Sequence, residues 1–300
     1  MKKQIGFIGL GKMGENMVLN LSGKGYKVVV YNRSSGPVRK LAKKKNVIPS
    51  YSIEEFVKEL PKPRTIIVMV TAGKPVDAVL KSLEPLLNRG DIVIDGGNSY
   101  YEDSVRRHKE LKRKGIHFLD MGTSGGLLGA RHGASLMVGG EKKVFKKIEP
   151  LFKSLSVKNG YGYVGEAGAG HFVKTIHNGI EYAVLESYSE GYEILSKSKY
   201  KPDLKQVSRI WSNGSVIRSW ITELAEDVFK KCGNNIKCVA GKIGGGETGS
   251  WAVKIAKKEH AESHTLEHAL RKRKKSLKKQ SFSTKFASAL RKEFGGHDEP

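Results

Sequence analysis

Ile5-Gly6-Phe7-Ile8-Gly9-Leu10-Gly11-Lys12-Met13-Gly14 decides how the first half of this chain folds. Residues 5–8 form the short apolar run of a buried strand, and from residue 16 to 21 the apolar spacing is helical. Gly9, Gly11 and Gly14 lie between them, in the order strand, Gly-x-Gly-x-x-Gly, helix. A dinucleotide fingerprint needs that context, because the glycines permit a tight turn and let a pyrophosphate approach the amino end of the helix. Gly9, Leu10, Gly11, Lys12, Met13 and Gly14 are therefore candidate cofactor-binding residues. The next apolar run, 27–31, ends in Asn32-Arg33-Ser34, where an NAD enzyme carries a carboxylate for the ribose hydroxyls. Asn32 brings no such charge and Arg33 is a cation for a 2′-phosphate, so this triplet predicts NADP over NAD.

Working outward, apolar runs at 65–70, 91–95 and 116–120 predict further buried strands, with helices at 76–87 and 101–113 between them. A strand at 136–138 and a helix at 141–155 close the first domain, and from residue 166 onward the periodicity is helical. The expectation is an α/β Rossmann-like doubly wound domain over residues 1–164, followed by an all-α helical domain over 165–300 with the ligand held between them. Asp95-Gly96-Gly97-Asn98-Ser99 and Gly122-Thr123-Ser124-Gly125-Gly126 each follow a predicted strand. Both loops then open at the carboxyl edge of the sheet, where doubly wound folds take ligands. Glycine beside Asn and Ser exposes backbone N–H groups and short polar side chains suited to a carboxylate or hydroxyl.

In the second half, Lys174-Thr175-Ile176-His177-Asn178-Gly179-Ile180-Glu181-Tyr182 opens the longest helix-compatible segment. Offsets of three, four and seven place Lys174, His177, Asn178 and Glu181 on one side of it. Phe172, Val173, Ile176 and Ile180 are available to pack as an apolar side. The chain of 300 residues carries a formal charge of +24, and its isoelectric point is about 9.8. Much of the excess is local, in Arg271-Lys272-Arg273-Lys274-Lys275 and Lys278-Lys279. No zinc finger, aromatic RNA-binding signature or helix-turn-helix pattern accompanies it, so a solvated helical face or a field for an anionic sugar phosphate is the simpler reading. A non-catalytic nucleic-acid-binding protein is the remote alternative. Cys232 and Cys238, separated by five residues and without neighbouring histidines, predict ordinary packing, no metal and a cytoplasmic protein. No segment is long enough to span a bilayer.

Taken together, the glycine fingerprint, the two polar loops and the lysine helix resemble the β-hydroxyacid dehydrogenases and, within them, the short-form 6-phosphogluconate dehydrogenases. The narrower resemblance rests on the run from His177 to Tyr182 and on Ser124-Gly125-Gly126 with Gly129-Ala130-Arg131, Ser135-Leu136-Met137 and Gly139-Gly140. It rests also on Arg291-Lys292-Glu293-Phe294-Gly295-Gly296-His297, which is similar to the family's closing Arg-x-x-Phe-Gly-x-His. The resemblance implies oxidative decarboxylation of 6-phosphogluconate with NADP, with Lys174 as base, Glu181 as the acid that protonates carbon, and Asn178 orienting hydroxyl and nicotinamide. It places Val70, Thr71, Ala72 and Asn98 at the cofactor. Asn98, Ser124, Gly125, Gly126 and His177 fall at the carboxylate and hydroxyls, and Tyr182, Thr248, Arg273, Arg291 and His297 at the phosphate. It implies, too, a homodimer or homotetramer in which a Gly-rich tail carries Arg291 and His297 into the neighbouring subunit. Departures stand at Gly246, where the family has a phosphate-contacting lysine, and at Thr71, where it has a lysine near the adenine. A dehydrogenase of a small 3-hydroxyacid is the alternative.

Overall fold

A computed structural model describes residues 4–296, and the chain divides into two compact units between Lys174 and Thr175. The first contains eight strands: β1 (Gln4–Ile8), β2 (Lys27–Tyr31), β3 (Val47–Pro49), β4 (Thr65–Val68), β5 (Ile92–Asp95), β6 (His117–Ser124), β7 (Ala134–Gly139) and β8 (Ser156–Gly165). Its helices are α1 (Lys12–Gly23), α2 (Ser35–Ala42), α3 (Ile53–Lys58), α4 (Lys74–Leu83), α5 (Tyr101–Arg113), α6 (Gly126–His132) and α7 (Lys142–Leu155). The strands form one sheet in the order β3-β2-β1-β4-β5-β6-β7-β8. From β3 to β6 all neighbours are parallel, β7 runs antiparallel to β6, and β8 is parallel to β7.

Parallel strands covered on both faces read as unbroken apolar runs, which is why Val28, Val29 and Val30 are all fully buried. Alternate side chains feed two cores, Ile5, Phe7, Val28 and Val30 on one face and Ile8, Val29, Val68 and Phe118 on the other. Several features differ from the sequence expectation. The segment 35–58 folds as helix, strand and helix where no elements are expected, and β8 extends the sheet to Gly165. As an edge strand with Gly160, Gly162 and Gly165, β8 packs few of its side chains and shows no hydrophobic alternation. Parallel β1, β2, β4, β5 and β6 open at one edge, and the predicted ligand loops follow their carboxyl ends.

Helix α8 (Ala169–Lys197) continues into the second unit, joined there by α9 (Leu204–Ser212), α10 (Trp220–Cys232), α11 (Glu247–Lys258), α12 (His264–Ser276) and α13 (Phe282–Gly295). No strand occurs among its described residues. Its core centres on Tyr192, whose ring lies 5.1 Å from Phe229 and 4.6 Å from Phe286. Burial pushes the Tyr192 hydroxyl up to about 12, against the bond it shares with Ser208 at 2.7 Å. Cys232 and Cys238 are disulfide-bonded, which overturns the expectation of simple packing. The chain turns back after α10 through Gly233 at φ 67° and brings the two Cα atoms within 5.3 Å, inside bridging range. No described helix is long and apolar enough to cross a membrane.

Candidate active site

The three fingerprint glycines do three different jobs. Gly9 adopts φ 98°, and a Cβ there would lie 2.2 Å from the Met69 carbonyl; one on Gly14 would lie 2.0 Å from the Gly9 carbonyl. These two close the turn and press helix against strand. Gly11, at the amino end of α1, has nothing within 4 Å of where its Cβ would be. That open backbone, with the N–H groups and positive dipole of α1 behind it, fits a pyrophosphate. Asn32 ties the end of β2 to this turn: its Oδ1 accepts from the Leu10 N–H at 3.0 Å, and its Nδ2 donates to Ser34 O at 3.1 Å and Ser34 Oγ at 2.9 Å. Arg33 is exposed beside them. Lys12 and Met13 lie in the first turn of α1, Val70, Thr71 and Ala72 in the loop after β4, and exposed Asn98 in the loop after β5.

Lys174 is placed by the junction of α8 with β6 and β7. Asp120, fully buried on β6, accepts the Gly168 N–H at 2.7 Å and the His171 N–H at 2.8 Å, so its carboxylate satisfies and charge-complements the start of the helix. Glycines let the helix lie directly on the strands. A Cβ on Gly139 would come 2.6 Å from Gly170 N, and one on Gly122 would come 2.4 Å from the Lys174 Cβ. Sequence reasoning missed Asp120, although an acid inside an apolar strand was the available signal. Ser124 ends β6; Gly125 at φ 117° caps α6 and Gly126 begins it, so the expected loop is a strand end running straight into a helix.

In the first turns of α8, polar side chains are buried. Lys174 is 7% exposed and Asn178 6%, whereas Ile180 is 54% exposed and Val184 37%. The sequence offered Ile180 as core; it faces solvent instead. His177 Nδ1 lies 3.2 Å from Asn178 Oδ1 and 3.9 Å from Glu181 Oε2, with both His177 and Glu181 half-buried. Lysine and carboxamide are buried and imidazole and carboxylate half-buried along one helical face, a row of groups able to accept and donate protons.

Further along α8, within the second unit, Tyr182 organises a cationic cluster. Its hydroxyl lies 3.2 Å from Thr248 Oγ1, and the Arg273 guanidinium stacks 4.1 Å above its ring. Arg273 Nε donates to the Gly244 carbonyl at 3.0 Å, Arg291 Nη2 reaches the same oxygen at 3.5 Å, and both arginines border one small cavity with Tyr182 and Glu186. Arg271 is exposed, so α12 turns Arg273 and not Arg271 inward. Arg291 does not lie in a Gly-rich tail: α13 continues to Gly295, is capped by left-handed Gly296, and buries Arg291 against its own chain. His297 lies outside the described residues. Gly246 caps α11 at φ 125°, a backbone region closed to a lysine, which gives that departure a local cause. Lys272, which the sequence placed only in a basic run, pairs with Glu186 at 2.7 Å and Glu190 at 3.3 Å; burial works to lower its pKa, and the two carboxylates outweigh it and hold it above the usual lysine range. Among the described residues no group of three or more His, Cys, Asp or Glu could hold a metal ion.

Comparison with known proteins points both halves of the chain to one family. A family model for the NAD binding domain of 6-phosphogluconate dehydrogenase matches residues 4–165, and one for the 6-phosphogluconate dehydrogenase C-terminal domain matches residues 170–297. The Bacillus subtilis protein YqeC, provisionally named a 6-phosphogluconate dehydrogenase, is 43% identical over 294 residues covering 98% of each chain. A Haloferax volcanii 6-phosphogluconate dehydrogenase, NAD(+)-dependent and decarboxylating, is 39% identical over 296 residues, again 98% of each chain. Among solved structures, Plasmodium falciparum 6-phosphogluconate dehydrogenase superposes with a TM-score of 0.84 at 34% identity. That match covers 91% of this chain and 62% of the Plasmodium chain, so the protein spans under two thirds of that neighbour's length.

Proposed function

The chain belongs to the 6-phosphogluconate dehydrogenase family, and on that premise we propose that it oxidises and decarboxylates 6-phosphogluconate to ribulose 5-phosphate and CO2, using NADP. The observation that carries the reading is the inverted helix: Lys174 and Asn178 are buried while Ile180 and Val184 face water. When bound, NADP would supply the acceptor for the hydride that leaves the carbon bearing the secondary hydroxyl β to the carboxylate. Lys174 takes the proton of that hydroxyl, and Asn178, bonded to His177, orients it. As an ammonium, Lys174 then donates to the new carbonyl oxygen, so the C–C bond electrons released with CO2 have an acceptor and an enol forms. Glu181 delivers a proton to the enol carbon while the enol hydroxyl returns its proton to Lys174, which gives the ketose. Ser124, Gly125, Gly126 and Asn98 hold carboxylate and hydroxyls, and Arg273, Arg291, Tyr182 and Thr248 hold the phosphate, where guanidinium forks form strong charge-assisted bonds.

Cofactor choice rests on the end of β2. Asn32 is committed to Leu10 and Ser34 and carries no charge to repel a 2′-phosphate, and Arg33 is free to swing onto one. One purified preparation tests the whole reading, assayed with 6-phosphogluconate and either NADP or NAD while CO2 is collected. The expected result is one CO2 per reduced nucleotide, with a higher kcat/KM for NADP. Gly246, which leaves one phosphate-site cation fewer, favours the second reading, a dehydrogenase of a small unphosphorylated 3-hydroxyacid. Reduction with such an acid, without CO2 and without response to 6-phosphogluconate, selects that reading instead.

A further inference from the structure

Arg107 is a fully buried arginine that no step above uses. It stands on α5, and its guanidinium is divided between two loops. On one side Nε donates to Asp77 Oδ1 at 2.8 Å and Nη2 to the Gly73 carbonyl at 3.1 Å, at the start of α4. On the other side Nη1 donates to Asp95 Oδ2 and to Ser99 Oγ, each at 3.2 Å, at the end of β5 and in the loop after it. Asp95 is fully buried as well; it accepts the Ser99 hydroxyl at 2.7 Å and the Gly97 N–H at 3.1 Å. The two loops also touch directly, since a Cβ on Gly97 would come 2.9 Å from the Val70 carbonyl. Arg106 shares Asp77 at 2.9 Å; burial works to raise the Asp77 pKa, and the bonds from Arg107 and Arg106 overcome it and hold that carboxyl below the usual range.

The loops so joined are 70–73 and 96–99, which contain Val70, Thr71, Ala72 and Asn98. We propose that Arg107 is a positioning residue that locks these two loops into their nucleotide-binding shape, and that it thereby sets affinity for the dinucleotide. A charge taken out of water is stable only when its hydrogen bonds are completed, so the network tolerates one arrangement of both loops. The planar fork is essential. A lysine offers a point charge from one position and cannot reach Gly73 and Asp77 on one side and Asp95 and Ser99 on the other. The proposal rests on the reading that these loops meet the cofactor.

The test is a titration of purified protein with NADPH, followed by nucleotide fluorescence well below the melting temperature, for wild type, Arg107→Lys and Ser99→Ala. Arg107→Lys should weaken NADPH binding by about tenfold or more. Ser99→Ala, which removes one hydroxyl and keeps the buried charge pair, should weaken it by a smaller factor of about three to ten, the scale of one lost hydrogen bond. KM for NADP should rise in parallel while kcat at saturating NADP changes less than about twofold, because bound nucleotide restores the loop shape. Circular dichroism identifies any variant that fails to fold, and Ser99→Ala then decides. Folded variants that bind NADPH within about twofold of wild type overturn the role of Arg107. A wild type that binds neither NADPH nor NADH overturns the cofactor reading beneath it.

Discussion

Lys174 and Glu181 act at different moments, and single substitutions should separate them. They stand seven residues apart on α8, about 10 Å of helical rise, so each can face a different part of one substrate. Lys174→Met removes the base needed before hydride can leave. Its turnover should fall by about 10²–10⁴, with no rapid burst of NADPH, while nucleotide binding stays near wild type. Glu181→Gln removes a proton donor needed only after CO2 has left. Steady turnover should fall by about 10² or more, yet stopped-flow absorbance should still record a first burst approaching one NADPH per site. A burst of wild-type size in Lys174→Met, or undiminished steady turnover in Glu181→Gln, removes that residue from the mechanism. Both side chains were legible in the sequence, because a shared helical face follows from spacing alone. Their burial was not: the same row of polar residues describes a solvated surface, and only the packing of α8 places Ile180 outside and Lys174 inside.

At the scale of elements, the chemistry depends on how α8 is seated on β6 and β7. Gly122 is the tightest point of that seat, with its missing Cβ 2.4 Å from the Lys174 Cβ. Gly122→Ala should overpack the junction, cost about 1–3 kcal/mol of stability, and displace Lys174 enough to lower kcat by about 10². Thermal melting and steady-state assays on the same preparation check both effects; a variant of wild-type kcat would mean that the seat does not set the geometry of Lys174. The same scale shows what sequence patterns can carry. Buried parallel strands and the glycine turn announce themselves by composition, and β1, β2, β5 and α5 lie close to where the pattern puts them. Strand β8 was hidden because an edge strand needs no alternating core face, and α6 because its cap Gly125 and first residue Gly126 resemble a loop. The cationic cluster was only half legible, since choosing Arg273 over Arg271 requires knowing which way α12 is turned.

At the scale of the whole molecule, one side of α8 leaves a row of apolar side chains exposed within one chain. Ile180, Val184 and Ile194 are 54%, 37% and 70% exposed, and with Ser187 and Gly191 they follow offsets of four, seven, eleven and fourteen, the spacing of a helix–helix seam. A two-fold dimer that pairs this stripe with its own copy would cover it, small residues at its centre permitting close approach. Light scattering should then report a dimer at micromolar concentration and a monomer for Val184→Glu. The sequence resemblance implied that such a dimer shares its phosphate sites through Arg291. We propose the opposite assignment, because within the second unit α13 buries Arg291 beside Tyr182 and Arg273 of the same chain. Lys174→Met and Arg291→Ala should therefore fail to complement. In a mixed dimer each site would lack one of the two groups, so exchanging the subunits should return no more activity than the variants have apart. Recovery towards half of wild type, after subunit exchange has been verified, would instead place Arg291 in its partner's site.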